Sequence, residues 1–240
     1  LRLDAIAFLW KEKNTRCLHL PGTHEVVKLL RDIACYVAPG TLILTETNVP
    51  QPENLSYFGK GDEAHMVYQF TLPPLLLYTL LKGNAEALSS WAERLPVLPA
   101  GQTFLNFTAS HDGIGIRPLE GILPPEEAVQ LAAVIRQSGG AISERNQPDG
   151  TTGIYELNVT WFSAMQHTFT GTDAFQEARF MCSQLIMLAL QGIPALYIQS
   201  LLAAPNDYEG MRQTGRARSI NRKSWEEKEI RELEAADPAQ

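Results

Sequence analysis

Three carboxylates and one histidine stand where short apolar runs of the sequence end. Asp4 closes the run that opens the chain, Glu46 closes a second run, and His111 and Asp112 follow a third. Two carboxylates flanking a glycosidic bond are the minimum apparatus for glycosyl transfer, because one attacks the anomeric carbon while the other protonates the leaving oxygen. A third can hold the sugar. Arg2 faces the same side as Asp4 and would keep that carboxylate ionised.

A single acid at the end of a strand is as often a helix cap or a solvated loop residue as it is a catalytic group. Three such acids, each closing an apolar run, favour a shared site over three unrelated caps. The sequence therefore points to glycosyl transfer, with capping as the structural alternative for each acid taken alone.

Apolar patterning predicts an α/β fold. Strands are expected at the start of the chain and at 41–46, 64–70, 103–110 and 193–198. Helices are expected at 23–38, at 73–95 with a break near Gly83-Asn84, for about 12 residues from Pro124, at 175–190 and from Ser224 to about Ala236. Residues 139–155 predict a loop or small excursion, and residues 203–222 a polar loop. Helix-length spacers imply parallel strands joined by crossovers, whose carboxyl ends open on one face.

The composition excludes several classes of protein. The chain has 240 residues, 45% of them hydrophobic, which suffices for one large domain or two small ones. Twenty Lys and Arg against 27 Asp and Glu leave a formal charge of −7, so no nucleic-acid partner is expected. No run approaches the roughly 18 apolar residues that span a bilayer, so no membrane partner is expected either.

The cysteines and histidines predict neither a disulfide framework nor a metal centre. Cys17, Cys35 and Cys182 are odd in number and widely spaced, which favours a reducing cytoplasm. Cys17, His19 and His24 could suggest a metal site. Such a set without a fourth ligand is more often non-binding, so we predict no metal and no cofactor.

The residues around the carboxylates resemble glycoside hydrolase family 13, the α-amylase family. Three segments match the catalytic motifs of that family, in the same order: Arg2-Leu3-Asp4-Ala5, Thr45-Glu46 and Ser110-His111-Asp112. In the family these motifs stand at the ends of the fourth, fifth and seventh barrel strands. Further segments resemble the sucrose phosphorylase subfamily and its glucosylglycerate phosphorylase-like members: 2–12, 47–50, 61–68, 110–116, 206–208 and 220–222.

The resemblance implies a retaining double displacement, in which two carboxylates lie about 5 Å apart. Asp4 would be the nucleophile that forms a β-glucosyl-enzyme, Glu46 the general acid and then the base, and Asp112 the group that stabilises the distorted ring. Four further residues would contact the sugar or the nucleophile: Arg2, His111, Asp207 and Arg218. Inorganic phosphate attacking the intermediate would give α-D-glucose 1-phosphate from a small carbohydrate such as sucrose or glucosylglycerate.

The resemblance also predicts the architecture. Residues 1–222 would form strands four to eight of a (β/α)8 TIM barrel, and residues 223–240 a terminal helix and tail leading out of it. The family's first three strands and its C-terminal β domain have no counterpart, and the chain opens without Met, so we expect a fragment that is a poor enzyme alone. Its oligomeric state is left open.

Two alternatives remain at this stage. A hydrolase or transglucosylase of the same family would use the same three carboxylates with water or a sugar hydroxyl in place of phosphate. A sugar-binding remnant without turnover is the second alternative. Aromatic residues that could stack on a sugar, or simply pack in the core, are Trp10, Tyr68, Trp161 and Phe162. Arginines that could hold an anion, or be solvated, are Arg212, Arg216 and Arg218.

Overall fold

The computed structural model describes residues 1–146 and 150–235. Its strands are, in chain order, β1 (Arg2–Leu3), β2 (Leu44–Thr45), β3 (Met66–Tyr68), β4 (Thr103–Phe107), β5 (Ile114–Gly115), β6 (Ala141–Asn146), β7 (Thr152–Asn158), β8 (His167–Thr168), β9 (Gly171–Thr172) and β10 (Ile193–Ala195). Its α-helices are α1 (Pro21–Val37), α2 (Gln51–Leu55), α3 (Leu72–Lys82), α4 (Glu86–Glu93), α5 (Pro125–Gln137), α6 (Trp161–Ala164), α7 (Gln176–Ala189), α8 (Ile198–Leu201), α9 (Tyr208–Thr214) and α10 (Glu227–Ala235).

A parallel sheet of five strands organises the fold. The strands lie side by side in the order β1, β2, β3, β4 and β10, and every neighbouring pair is parallel. Helical crossovers separate successive strands, as parallel pairing requires. This confirms the predicted α/β class and places the segments that follow all five strands at one edge of the sheet.

The strands are shorter than their apolar runs predicted, and the helices agree closely. The run 41–46 pairs as a strand only at Leu44–Thr45, with β1 on one side and β3 on the other. The predicted break near Gly83 falls between α3 and α4, where Gly83 adopts a left-handed φ of 71°. The first long helix begins at Pro21 rather than Thr23; the Thr23 hydroxyl instead accepts a hydrogen bond from the Trp10 amide.

Two segments expected to be loops contain regular structure. Strands β6 and β7 pair antiparallel from Ala141 to Asn158, which takes in most of residues 139–155, and β5 adds to them as a third strand. Residues 147–149, between these two strands in the chain, lie outside the described part. Within 203–222 the structure has α9 and a 3-10 turn at Ala217–Asn221.

Two apolar clusters support the sheet. The larger packs the leucine-rich α3 against α5, α7 and β7, with Leu76, Leu131 and Leu157 fully buried. The smaller lies between α1, β2 and β3 and includes Val27 and Ile43. Burial of this apolar surface is the main favourable contribution to folding. No helix of the described chain is long and apolar enough to cross a bilayer.

The C-terminal segment packs back on the sheet domain. Gln199 of α8 donates to the Lys223 carbonyl oxygen and accepts from the Trp225 indole nitrogen. The helix α10 begins at Glu227, three residues after the predicted start, and the Glu226 amide donates to the Glu229 carboxylate as in a capping box. Residues 236–240 of the predicted tail lie outside the described residues.

Candidate active site

The first candidate group is an arginine–aspartate pair at the end of β1. Arg2 Nη2 lies 2.7 Å from Asp4 Oδ1, and Arg2 Nε donates to the Tyr68 hydroxyl at 3.1 Å. The Asp4 side chain is 70% exposed, whereas that of Arg2 is 35% exposed. Burial opposes the charge of Arg2, but Tyr68 and the nearby carboxylates outweigh it and raise its pKa. A permanent cation therefore stands beside the Asp4 carboxylate.

Glu46 follows β2 and is joined to the segment that begins at Asp4. The Ala5 amide donates to Glu46 Oε2 at 2.7 Å. Burial raises the pKa of Glu46, the charges of Asp4 and Asp112 raise it further, and the Ala5 amide and Arg2 oppose the shift. The charges of Asp4 and Asp112 thus reach Glu46, so the three predicted carboxylates lie near one another. An environment that disfavours the Glu46 carboxylate suits a group that must carry a proton before it reacts.

Asp112 is held by two arginines from the far end of the chain. Its Oδ1 lies 2.6 Å from Arg218 Nη1 and 3.0 Å from Arg222 Nη2. The Asn221 side-chain amide donates to the main-chain oxygens of Ser110 and Asp112. The 3-10 turn at Ala217–Asn221 therefore fixes both the backbone and the carboxylate of Asp112.

Glu156 completes this network and was missed by the sequence analysis. Arg218 donates through Nε to Glu156 Oε2 at 2.9 Å and through Nη2 to Oε1 at 2.5 Å, while its Nη1 contacts Asp112. The Glu156 side chain is only 3% exposed. Hydrogen bonding to Glu156 and the charges of both carboxylates raise the pKa of Arg218. The alternating apolar residues around Glu156 in β7 were the available signal, and the loop interpretation of 139–155 hid it.

Of the two remaining predicted sugar contacts, His111 lies near the carboxylates and Asp207 caps a helix. His111 is exposed, and its Nε2 lies 3.6 Å from Asp112 Oδ2, so it belongs to the cluster. Asp207 instead caps α9, since its Oδ1 accepts from the Gly210 amide at 2.8 Å. Within the described residues Asp207 makes no hydrogen bond or ion pair with Asp4, Glu46 or Asp112.

Among the aromatic candidates, Tyr68 touches the cluster. Its ring packs against Phe70 and Phe107 with centroid distances of 5.4 Å, and its hydroxyl meets Arg2. Trp161 is buried in the larger apolar cluster, and Phe162 packs edge-on against Phe180 at 5.4 Å. Core packing therefore accounts for Trp161 and Phe162.

His19 and His24 are engaged in a polar cluster of a different kind. His19 Nδ1 lies 2.9 Å from the Tyr57 hydroxyl, and the His24 ring stacks on the Tyr57 ring with a centroid distance of 4.8 Å. His24 Nδ1 is 2.7 Å from Glu63 Oε2. Throughout residues 1–146 and 150–235, no group of three or more His, Cys, Asp or Glu side chains is arranged to hold a metal ion.

Known proteins share this sequence and fold over most of its length. The chain is 50% identical over 235 residues to the glucosylglycerate phosphorylase of Escherichia coli (strain K12), covering 97% of this chain and 42% of that protein. It is 28% identical over 243 residues to the sucrose phosphorylase of Bifidobacterium adolescentis, covering 97% of this chain and 45% of that protein. The chain is a homologue of glucosylglycerate phosphorylases. No protein-family model matches it.

A solved structure extends the comparison to the fold. The crystal structure of sucrose 6F-phosphate phosphorylase from Thermoanaerobacter thermosaccharolyticum superposes with a TM-score of 0.82 at 26% identity, over 98% of this chain and 46% of that one. The predicted resemblance to sucrose phosphorylases and to glucosylglycerate phosphorylase-like enzymes is thereby confirmed. The chain spans less than half the length of each of these relatives.

Proposed function

We propose that this chain carries the catalytic carboxylates of a retaining α-glucosyl phosphorylase. The observation that carries the proposal is the electrostatic coupling of Asp4, Glu46 and Asp112 at one edge of a parallel sheet, with Arg2 paired to Asp4. Homology to glucosylglycerate phosphorylase supports the reaction class. The acids at the strand ends are then a shared site rather than separate caps.

The proposed reaction proceeds in two displacements. Asp4 attacks the anomeric carbon of the bound α-glucoside while the protonated Glu46 gives its proton to the departing glycosidic oxygen, and a β-glucosyl ester forms on Asp4. A phosphate oxygen then attacks the same carbon, Glu46 accepts the proton that phosphate gives up, and the ester bond breaks. The products are α-D-glucose 1-phosphate and the free Asp4 carboxylate.

The surrounding arginines and Tyr68 support the remaining roles. Asp112, fixed by Arg218 and Arg222, would stabilise the distorted glucosyl ring and its positive charge. His111 is exposed beside Asp112 and would contact the sugar hydroxyls. For Arg218 the geometry favours holding Asp112 against Glu156 over a direct contact with the sugar. The Asp207 carboxylate caps α9, so its proposed contribution to sugar binding would be indirect, through the position of that helix.

We infer that the five parallel strands are strands four to eight of a (β/α)8 barrel, so that residues 1–222 are barrel and 223–235 lead out of it. The sequential strand order supports this arrangement. Exposed apolar side chains occur on the helices next to both outer strands in the chain: Leu29, Ile33 and Tyr36 on α1, which follows β1, and Met181, Leu185 and Leu188 on α7, which precedes β10. Further parallel strands and helices at both edges would cover them.

Glucosylglycerate is the proposed small carbohydrate, with inorganic phosphate as co-substrate. The support is the higher identity to glucosylglycerate phosphorylase, 50%, than to sucrose phosphorylase, 28%. The proposed compartment is the cytoplasm, which the three free cysteines suit. No metal or cofactor takes part in the proposed steps.

Phosphate release from α-glucose 1-phosphate tests the proposal. Two proteins are assayed: the 240-residue chain and the product of the complete reading frame that encodes it. Each is given glycerate, glycerol, fructose or fructose 6-phosphate as acceptor. We expect glycerate-dependent release that Asp4→Asn abolishes and that Asp32→Asn, on the exposed side of α1, leaves unchanged.

The other outcomes point to the alternatives. Release without any acceptor identifies a hydrolase, and preference for a sugar acceptor identifies a different glucoside. Absence of release from both proteins, with the folded state intact by circular dichroism, contradicts the phosphorylase and favours a sugar-binding protein.

A further inference from the structure

Glu53 stands between the segments that follow all three candidate catalytic strands. It lies in α2, seven residues after Glu46. Its Oε2 is 3.2 Å from His19 Nε2 and 3.6 Å from Arg117 Nη2. His19 belongs to the segment after Asp4, and Arg117 follows Asp112 by five residues. One carboxylate oxygen therefore meets side chains from two neighbouring loops while being anchored in a third.

The His19 end of this contact is tightly specified. His19 Nδ1 lies 2.9 Å from the Tyr57 hydroxyl, and His19 Nε2 lies 3.2 Å from Glu53 Oε2. A carboxylate oxygen can only accept, so the tautomer that suits this contact carries its hydrogen on Nε2 and leaves Nδ1 to accept from the Tyr57 hydroxyl. Burial outweighs the opposing charge of Glu53 and lowers the pKa of His19, which favours the neutral ring. Both His19 Nε2 and Glu53 Oε2 are shielded from water.

The His19 backbone carries the contact toward Asp4. The His19 amide donates to the Ala7 carbonyl oxygen at 3.0 Å, which folds the segment back on the turn directly after Asp4. His19 has a φ of 53° and Ala5 a φ of 46°, both in the left-handed region. Residues other than glycine hold such a conformation only when their surroundings impose it. The contacts of His19 and Ala5 supply those constraints at the two ends of the segment.

The Arg117 end carries the contact toward Asp112. Arg117 lies in a 3-10 turn at Arg117–Leu119, where the main chain leaves the region of Asp112. Its guanidinium faces Glu53 on one side and the exposed Glu120 on the other, with Nε 3.9 Å from Glu120 Oε1. Glu120 belongs to the same loop as Arg117, so that second ion pair joins no other segment.

We propose that Glu53 is a positioning residue that joins the three loops bearing Asp4, Glu46 and Asp112 and thereby fixes the separation of these carboxylates. The coupling of the loops stands on the contacts of Glu53 alone. Its effect on turnover rests on the proposed function. Loss of the link displaces the reacting groups without removing any of them, and displacements of about 1 Å are costly for transfer between positioned groups.

Hydrogen–deuterium exchange on the 240-residue chain tests the coupling independently of activity. Glu53→Gln keeps the shape of the side chain and removes its charge. We expect amide exchange to increase about tenfold in all three loops, 5–20, 47–58 and 113–123. Glu120→Gln is the matched control, because it removes the other carboxylate beside Arg117, and should leave 5–20 and 47–58 unchanged. An increase confined to 47–58, or the same increase in both variants, overturns the proposal.

Kinetics of glucosyl transfer separate positioning from general support of the fold. For Glu53→Gln and His19→Asn we expect kcat to fall about 10- to 100-fold while KM for α-glucose 1-phosphate stays within about twofold. Asparagine is chosen at position 19 because it tolerates the left-handed backbone there. Arg117→Lys keeps the positive charge beside Glu53 and should retain most of kcat. An unchanged kcat, or a loss that follows the unfolded fraction, contradicts positioning. If neither the 240-residue chain nor the complete protein shows turnover, the proposed function fails and the exchange result alone decides the coupling.

Discussion

The amide of Ala5 donates to Oε2 of Glu46 at 2.7 Å, so the residue directly after Asp4 is hydrogen-bonded to the carboxylate that ends the neighbouring strand. The contact joins two candidate reacting groups through the backbone of one and the side chain of the other. Because Asp4 also raises the pKa of Glu46 through its charge, the protonation of Glu46 depends on the state of Asp4. That dependence can be measured.

Asp4→Asn should abolish glucosyl transfer and lower the pKa of Glu46. The proposed nucleophile is lost, so we expect turnover to fall by more than about 10³-fold. Removal of the negative charge at Asp4 also removes one cause of the raised pKa of Glu46, so this carboxyl should ionise at lower pH than in the parent. A ¹³C NMR titration of the glutamate carboxyls, assigned with Glu46→Gln, follows the shift.

The same result bears on the proposed second displacement. When Asp4 is esterified it carries no charge, as in Asp4→Asn, so the pKa of Glu46 should fall. Glu46 then stays ionised after it has protonated the leaving group, and its carboxylate can act as the base. An unchanged Glu46 titration in Asp4→Asn would contradict this coupling, whereas the variant Asp32→Asn should leave both turnover and titration as in the parent.

Glu46→Gln should stabilise the fold while abolishing transfer. The folded state raises the pKa of Glu46, so the ionised carboxylate costs free energy at neutral pH that the unfolded chain avoids. Glutamine removes that cost and can still accept from the Ala5 amide through its oxygen. We expect the free energy of unfolding at pH 7 to increase by about 1 kcal/mol.

The pH dependence of this gain supplies the check. Below the unfolded pKa of glutamate, near 4.3, both states of the parent are protonated and the advantage of Glu46→Gln should disappear. Urea denaturation at pH 7 and near pH 4 measures the two values. A gain that is independent of pH, or a loss of stability at pH 7, would mean that burial does not destabilise the Glu46 carboxylate.

The three carboxylates could be predicted from sequence because each follows an apolar run that becomes a strand of one parallel sheet. The strand order carries Asp4, Glu46 and Asp112 to the same edge, whatever the details of the loops. Glu156 could not be predicted, because its place depends on the pairing of β6 with β7 in a segment whose Gly, Asn and Asp residues favour a loop. Its partner Arg218 is 62 residues away in the chain, and no local pattern signals such a contact.

The partners of the histidines also could not be predicted from the local sequence. Their spacing with Cys17 was compatible with a metal site, although none was predicted, and it did not indicate their partners: His19 lies against Glu53 and His24 against Glu63, and both rings contact Tyr57. These partners come from the loop after β2, more than thirty residues along the chain. Local spacing gives the types of residue available at a site, whereas tertiary packing decides what they bind.

Replacing Arg218 should destabilise the fold much more than replacing Arg222. Arg218 is the partner of a buried carboxylate, Glu156, which is 3% exposed, and Arg218→Met leaves that charge unpaired. We expect a loss of about 2–3 kcal/mol in the free energy of unfolding, whereas Arg222→Met, whose partner Asp112 keeps Arg218, should cost about 1 kcal/mol or less.

A double variant identifies the cause. Arg218→Met combined with Glu156→Met removes both charges, so most of the stability lost in Arg218→Met should return. Urea denaturation of the four proteins gives the comparison. Equal losses for the two single arginine variants, or a double variant less stable than Arg218→Met, would show that the Glu156 charge is not what Arg218 compensates.

The buried His19 should make stability depend on pH near neutrality. Its pKa is lowered in the folded state, chiefly by burial, so the unfolded chain binds a proton at higher pH than the folded chain does. Stability is therefore fully present above the unfolded pKa of about 6.5 and is lost as the pH falls from there toward the lowered folded pKa. His19→Asn removes this contribution, and its free energy of unfolding should change less between pH 7.5 and 5.5 than that of the parent. His65, whose pKa is lowered by burial and by Arg31, titrates in both proteins and cancels in the difference. A steeper dependence in His19→Asn than in the parent would mean that protonated His19 is the form that the folded state prefers, with Glu53 rather than burial deciding its charge.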